Sequence, residues 1–254
     1  MKNNEWDTQY LHSKHVKLKS LLKELISIFE KNNLKYVAYY GTLLGAIRHN
    51  NIIPWDDDVD LVIDYDTLEF LIKNYPNLVK VGKNSNNFLM MAKYTHDRED
   101  EVDATFIDLF VVVPTNKEKL KKFRKLTNKL RYFNYYANRK VSKELWHIKI
   151  LRFFFFWTRK LPKFTLEEAI NQVRDTKVQE KQFIITWPDY ANMQKTTFPL
   201  EWDFFDSELC KFDDFYIAVP KKYNDFLVKE YGKNWHIHKK TLLSEHYGMY
   251  DVKI

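Results

Sequence analysis

Cysteine is nearly missing from this chain of 254 residues. The lone Cys210 can form no internal disulfide, which excludes the disulfide-stapled class of small secreted domains. The start from Met1 to His15 is polar and holds no apolar stretch of signal-peptide length, so the expectation is a reducing, cytoplasmic setting. Glycine is almost as scarce. None of the five glycines sits in a G-x-G-x-x-G or Walker A loop, and Gly82-Lys83 and Gly232-Lys233 lack the upstream glycine and the following Ser or Thr, which argues against dinucleotide and P-loop chemistry. Long apolar runs are absent too. The run Phe153-Phe154-Phe155-Phe156-Trp157 is five residues, far short of the roughly 20 that cross a bilayer. His236, His238 and His246 are too few and too loosely spaced for a zinc site, and Cys210 has no sequence-adjacent histidine to activate it.

The chain does have apolar bulk and unevenly placed charge. With 45% hydrophobic and 30% charged residues it is too apolar for a disordered chain and too polar for a polytopic membrane protein. Its length suffices for a full core with an elaboration. The net charge of +7 is concentrated: Lys117 to Lys163 holds sixteen Lys or Arg against Glu118 and Glu144, a local +14, so the rest sums to −7. An acidic body carries a basic arm.

The local patterns predict an α+β layer. Val16, Leu18, Leu21, Leu22, Leu25, Ile26 and Phe29 recur at helical spacing, predicting a helix over 14–32 that ends at Asn32 and Asn33. Strands are expected at Tyr36–Tyr40, Val59–Ile63, Phe88–Tyr94 and Thr105–Val113, the last closed by Pro114. Short helices are expected after Gly41 and from Asp66 to Tyr75, the second starting at Asp64 or Asp66. The division expected is a nucleotidyltransferase-like core over 1–116, a basic helical arm over 117–165 and a mixed segment over 166–254 that packs on the core.

Chemistry concentrates between residues 40 and 108. Gly41 and Gly45 flank a strand-to-helix turn, where a glycine lets backbone approach a phosphate and a helix N-terminus offers free N–H groups; Arg48, two turns on, can add a charge-assisted bond. A tight turn alone would also explain the glycines. Asp56, Asp57, Asp58 and Asp60 then crowd four carboxylates into five positions, which repel unless cations or donors offset them. On a strand Asp58 and Asp60 share a face, a ligand pair suited to Mg²⁺ with substrate phosphate. Asp108 is the one charge in Thr105 to Val113, where a bare carboxylate is costly. A solvated acidic loop and an exposed strand edge are the bland alternatives for the two features.

These residues resemble the LicD family. Tyr40-Gly41-Thr42-Leu43-Leu44-Gly45-Ala46-Ile47-Arg48-His49, Ile53-Pro54-Trp55-Asp56-Asp57-Asp58-Val59-Asp60 and Ile107-Asp108-Leu109-Phe110 follow its signature, Lys93 falls where it often has a strand lysine, and Val219-Pro220 through Tyr231-Gly232-Lys233-Asn234-Trp235 match its close weakly. One departure is Asn50-Asn51, where a glycine is expected; asparagine tolerates positive φ. The resemblance implies a nucleotidyltransferase-like mixed sheet flanked by helices, and a metal-dependent phosphotransferase. It implies transfer of a substituted phosphate, phosphocholine as the best-known cargo, from a CDP-linked donor such as CDP-choline. The acceptor is a hydroxyl of a surface glycan or its lipid-linked precursor. A related branch handles ribitol phosphate, and nucleotidyl transfer to a small molecule would use the same groups. By this resemblance Gly41, Thr42 and Arg48 hold the diphosphate, Lys93 and Trp55 contact substrate, and Asp58, Asp60 and Asp108 carry two Mg²⁺ or Mn²⁺ ions, Asp108 completing the site or helping to deprotonate the acceptor.

A choline cargo calls for aromatic faces, with Tyr39, Tyr40, Trp55, Trp187 and Trp202 as candidates. The arm interleaves its charges with Phe123, Tyr132, Phe133, Tyr135, Tyr136, Trp146 and Phe153 to Trp157. It reads either as a segment lying on an anionic membrane or as a solvated helical surface packed on the sheet. Nucleic acid is not expected.

Overall fold

The computed structural model describes residues 8–81, 90–98, 104–138, 150 and 153–237, and the side chains of these except 8–10, 134–138 and 190. Trp146, Arg152, His238 and His246, and the start of the strand expected from Phe88, lie outside them.

Helix α1 (Thr8–Lys31) buries Leu18, Leu22, Leu25 and Phe29 along one stripe, as the spacing requires. Val16 is an exception to that face: it is exposed, because at about 100° per residue it points away from the stripe centred on Leu18 and Leu22. Asn33, at φ 51, ends the helix, and the Leu34 N–H turns back to the Phe29 carbonyl at 2.9 Å.

A seven-stranded mixed sheet follows, built from β1 (Tyr36–Ala38), β2 (Asp60–Asp64), β3 (Val79–Lys80), β4 (Ala92–Tyr94), β5 (Ile107–Thr115), β6 (Lys181–Ile184) and β7 (Thr197–Pro199). Its main order is β1-β2-β5-β4-β3, with β6 on β5 and β7 on β6. Only β2 and β5 pair in parallel. The β5 strand does not stop at Pro114: it continues to Thr115, with Pro114 opposite Gln182. Proline is tolerated there because β2 has ended at the level of Val112, leaving that side of β5 without a ladder to feed.

Asp64 caps helix α3 (Tyr65–Asn74), its carboxylate accepting from the Thr67 N–H at 2.8 Å. Helices α4 (Lys117–Phe123), α5 (Leu126–Asn138) and α6 (Leu166–Val173) come next. Phe123 and Tyr132 of the basic stretch are fully buried, and the Phe123 ring lies 5.7 Å from that of Phe183. A hairpin of β8 (Ser207–Phe212) and β9 (Phe215–Pro220) and helices α7 (Tyr190–Lys195) and α8 (Tyr223–Tyr231) follow among the described residues. No helix among the described residues is long and apolar enough to cross a membrane. The architecture is an α+β, nucleotidyltransferase-like mixed sheet flanked by helices.

Candidate active site

Helix α2 (Tyr40–His49) starts one residue after β1 ends, and this turn fixes the site. Tyr40 takes φ 41, a conformation that a bulky side chain adopts only when its surroundings enforce it. The Tyr39 N–H donates to the Asp60 carbonyl at 3.1 Å, and the Asp60 N–H donates to Thr42 Oγ1 at 2.8 Å. Both sides of the Asp60 peptide are thus held by the turn. Asn50 closes α2 in the left-handed region at φ 48 and ψ 32, the conformation asparagine was expected to supply in place of a glycine.

The glycines serve close approach. A Cβ on Gly41 would lie 2.5 Å from Asp56 Oδ2, and one on Gly45 would lie 2.5 Å from the Asn51 carbonyl oxygen. Gly45 therefore lets the loop from Asn50 fold back over α2, and Gly41 leaves room for the Asp56 carboxylate. The loop turns over Pro54-Trp55 with the Asp56 N–H on the Ile53 carbonyl at 2.9 Å, and its next residues enter β2.

The sheet register sets three charged residues in one row. Asp60 pairs with Asp108 across the parallel strands, and Lys93 pairs with Asp108 across β4 and β5, so the three side chains project from the same face. Lys93 Nζ lies 2.9 Å from Asp108 Oδ1 and 3.2 Å from the Phe106 ring centroid. Beside this row, Asp56, Asp57 and Asp58 each place one carboxylate oxygen within 4.8 Å of the other two. Burial, and then the charges of Asp108 and Asp57, push the Asp58 pKa up to about 7, while a hydrogen bond from Asp56 and the Lys93 charge pull it down. Burial followed by Asp58, Asp108 and Asp56 raises Asp60 well above the ordinary carboxylate range, with Lys93 again opposing. Asp58 and Asp60 each titrate in the field of the other acids.

Five carboxylates against one ammonium leave a formal −4 when all are ionised. Such a charge in a buried site calls for cations, and hard oxygen donors are the set that Mg²⁺ and Mn²⁺ take. The residues fit two divalent ions, whose +4 would balance the site.

Asp58, Asp60 and Asp108 are brought together, and Asp56 and Asp57, which the strand argument left aside, stand with them. Their signal was present in the same motif, but strand alternation directs attention only to every second residue. Lys93, expected against substrate, is buried against Asp108. Thr42 is buried with its hydroxyl engaged by Asp60, and Gly41 faces a carboxylate rather than open space. Arg48 sits about 10 Å along α2 from Gly41, where its Nη1 donates to the Trp235 carbonyl at 3.1 Å and its Nε is buried without a hydrogen-bond partner. Trp55 is half-buried against His49.

Two nearby contributions carry no local sequence signal. His15 of α1 contacts the Asp56 carbonyl through Nε2 at 2.6 Å, and Lys14 donates to the Ala104 carbonyl at 2.7 Å. Tyr40 and Phe110 meet edge to face at 5.1 Å, and Phe110 shares the Asp108 face of β5. Of the other aromatic candidates, Tyr39 is wholly buried among Phe198, Phe204 and Phe226, Trp202 packs on Phe198 and Phe226, and Trp187 lies against Tyr132.

Residues 33–156 match the family model described as LicD/FKTN/FKRP, nucleotidyltransferase domain. Over 69 residues the chain is 41% identical to an uncharacterized protein of Rickettsia prowazekii, covering 27% of this chain and 26% of that one. It is 40% identical over 47 residues to the lipopolysaccharide cholinephosphotransferase LicD of Haemophilus influenzae, 18% of each chain. It is 44% identical over 46 residues to the human ribitol 5-phosphate transferase FKRP, 18% of this chain and 9% of that one. The aligned stretches thus span about a quarter or less of these relatives. The mixed sheet, the strand-to-helix turn and the converging acids thus lie in a chain whose residues 33–156 match the LicD/FKTN/FKRP nucleotidyltransferase-domain family model.

Proposed function

We propose that this chain is a metal-dependent phosphotransferase that moves a substituted phosphate from a CDP-linked donor to a hydroxyl of a glycan or its lipid-linked precursor. The observation that carries the reading is the buried row Asp60–Asp108–Lys93 with Asp56, Asp57 and Asp58 beside it. In this reading Asp58, Asp60 and Asp108, joined by Asp56 and Asp57, hold two Mg²⁺ or Mn²⁺ ions, which when bound neutralise charge on the attacking and leaving oxygens.

The chain's own residues position and screen. Thr42 and the Tyr39 N–H fix Asp60 on its strand, and Lys93 holds Asp108 in place by donating to its Oδ1. The acceptor hydroxyl attacks the distal phosphorus in line, the bond from that phosphorus to CMP breaks, and CMP leaves. Asp108 is a poor base for this step because its carboxylate is 2% exposed and bonded to an ammonium. The hydroxyl proton passes instead to the half-buried Asp56–Asp58 group. For a cationic cargo such as phosphocholine, Tyr40, Phe110 and Trp55 supply ring faces beside the acids. The LicD relative is a cholinephosphotransferase and the FKRP relative a ribitol 5-phosphate transferase, so both cargoes belong in the test. A reducing, cytoplasmic setting suits a chain whose one cysteine is free.

Incubation with CDP-choline, CDP-ethanolamine or CDP-ribitol, Mg²⁺ or Mn²⁺ and a lipid-linked saccharide pool, followed by mass spectrometry, tests the proposal. CMP release with a modified acceptor supports it. Pyrophosphate release from a nucleoside triphosphate, with no turnover of any CDP-linked donor, would move the assignment to nucleotidyl transfer, as the family model's domain name suggests.

A further inference from the structure

The run Phe153 to Trp157 is folded so that most of its rings face outward. Phe155 alone turns in, its ring 4.7 Å from that of Phe133 on α5, beside a cavity of about 500 Å³ also lined by Leu130 and Trp187. Thr158 is fully buried, and its hydroxyl and N–H both donate to the Phe155 carbonyl at 2.7 and 3.0 Å, starting the 3-10 turn Phe156–Lys160. With Phe155 and Thr158 as the inward anchors, Phe153, Phe154, Phe156 and Trp157 are 75, 66, 65 and 42% exposed. Phe153 and Phe154 meet only edge to face, at 5.4 Å. Arg159, Lys160 and Lys163 follow at once and are exposed.

Four protruding aromatics cannot be explained as packing, since the residues that pack are the other two. A contiguous ring cluster of this kind on a surface marks an interaction site. We propose that Phe153, Phe154, Phe156 and Trp157, with Arg159, Lys160 and Lys163, dock this protein on an anionic lipid bilayer. Charge complementarity selects the occupant. Arg159, Lys160 and Lys163 stand beside the rings, so a second copy pressed patch to patch would set like charge against like charge. Anionic head groups attract it, and aromatic rings followed by lysine and arginine suit the interface between head groups and acyl chains.

The start of the same basic stretch lies away from the acids. Phe123 of α4 meets Phe183, which pairs with Val113, and Val113 lies on the opposite face of β5 from Asp108. The arm's first helix therefore stands behind the sheet, away from a cluster that an anionic surface would repel. The proposal is independent of the chemistry assigned to that cluster.

Vesicle flotation of the full chain tests it, with phosphatidylcholine alone and with added phosphatidylglycerol. The expected result is flotation only with the anionic vesicles, release at high salt, and at least about a tenfold loss of bound protein in Phe153→Ser/Phe154→Ser/Phe156→Ser/Trp157→Ser. That variant leaves Phe155 and Thr158 intact, and an unchanged circular dichroism melt establishes that it is folded. Should it fail to fold, Arg159→Glu/Lys160→Glu/Lys163→Glu replaces it, with the same loss expected. Flotation unaffected in a folded variant, or no flotation with either vesicle, overturns the proposal. Patch-dependent dimerisation or retention on single-stranded RNA without vesicle binding overturns it as well.

Discussion

Lys93 Nζ stands 2.9 Å from Asp108 Oδ1 where β4 and β5 pair, and neither side chain is more than a few per cent exposed. Removing one partner of a buried ion pair strands the other, at a cost of about 3–5 kcal/mol. Lys93→Met is expected to lose stability on that scale in urea unfolding and to lose turnover as well. Adding Asp108→Asn should restore much of the stability and none of the turnover. A Lys93→Met protein as stable as the parent would show that the pair is not formed.

Removing an acid should have the opposite effect on the fold. Asp58 is raised by burial and then by its neighbours' charges, so Asp58→Ala removes a costly buried acid and relieves repulsion. It should melt at the same temperature or higher in metal-free buffer, while turnover falls by orders of magnitude. Unchanged turnover would remove Asp58 from the metal set.

The same shift gives metal-free protein an unusual dependence on pH. An acid whose folded-state pKa lies above its unfolded value holds more protons when folded, so stability falls as pH rises between those two values. For Asp58 this window runs from 3.8 to about 7. In chelator the melting temperature should decline from pH 5 to pH 7, and Mg²⁺ or Mn²⁺ should restore it at pH 7 and above by binding the folded state. A melting temperature that rises through that range in chelator would contradict the raised acids.

The two glycines of α2 should separate stability from activity. Gly45→Ala drives a methyl into the Asn51 carbonyl, which is backbone and cannot swing aside, and overpacking of this kind costs about 1–3 kcal/mol. Gly41→Ala meets only the Asp56 carboxylate, a side chain that can rotate away. It is expected to cost less in thermal stability and more in metal affinity, read by calorimetric titration with Mn²⁺.

Much of the site was legible because its determinants are local. Helical spacing gave α1, short β-prone apolar runs gave β2 and β5, and Asn50 was expected to accept positive φ. Periodicity could not distinguish Val16 from its neighbours until the stripe had a centre, and a proline near a strand end reads as a stop unless the strand's far partner is known. That β6 pairs with β5 beyond Val112, and that His15 reaches Asp56 across 41 residues, are facts of long-range pairing that leave no local trace. The row across β2, β5 and β4 depended on registers that no segment encodes alone.

The strand that bears Asp108 draws its neighbours from both halves of the polypeptide. Val112 to Thr115 hydrogen-bond with Lys181–Ile184, which lie beyond the family-matched stretch ending at 156. A fragment cut at that boundary would expose those four residues as an unsatisfied edge, the kind of surface on which chains stick to one another. During synthesis, likewise, this strand acquires its last partner only after residue 184 has left the ribosome.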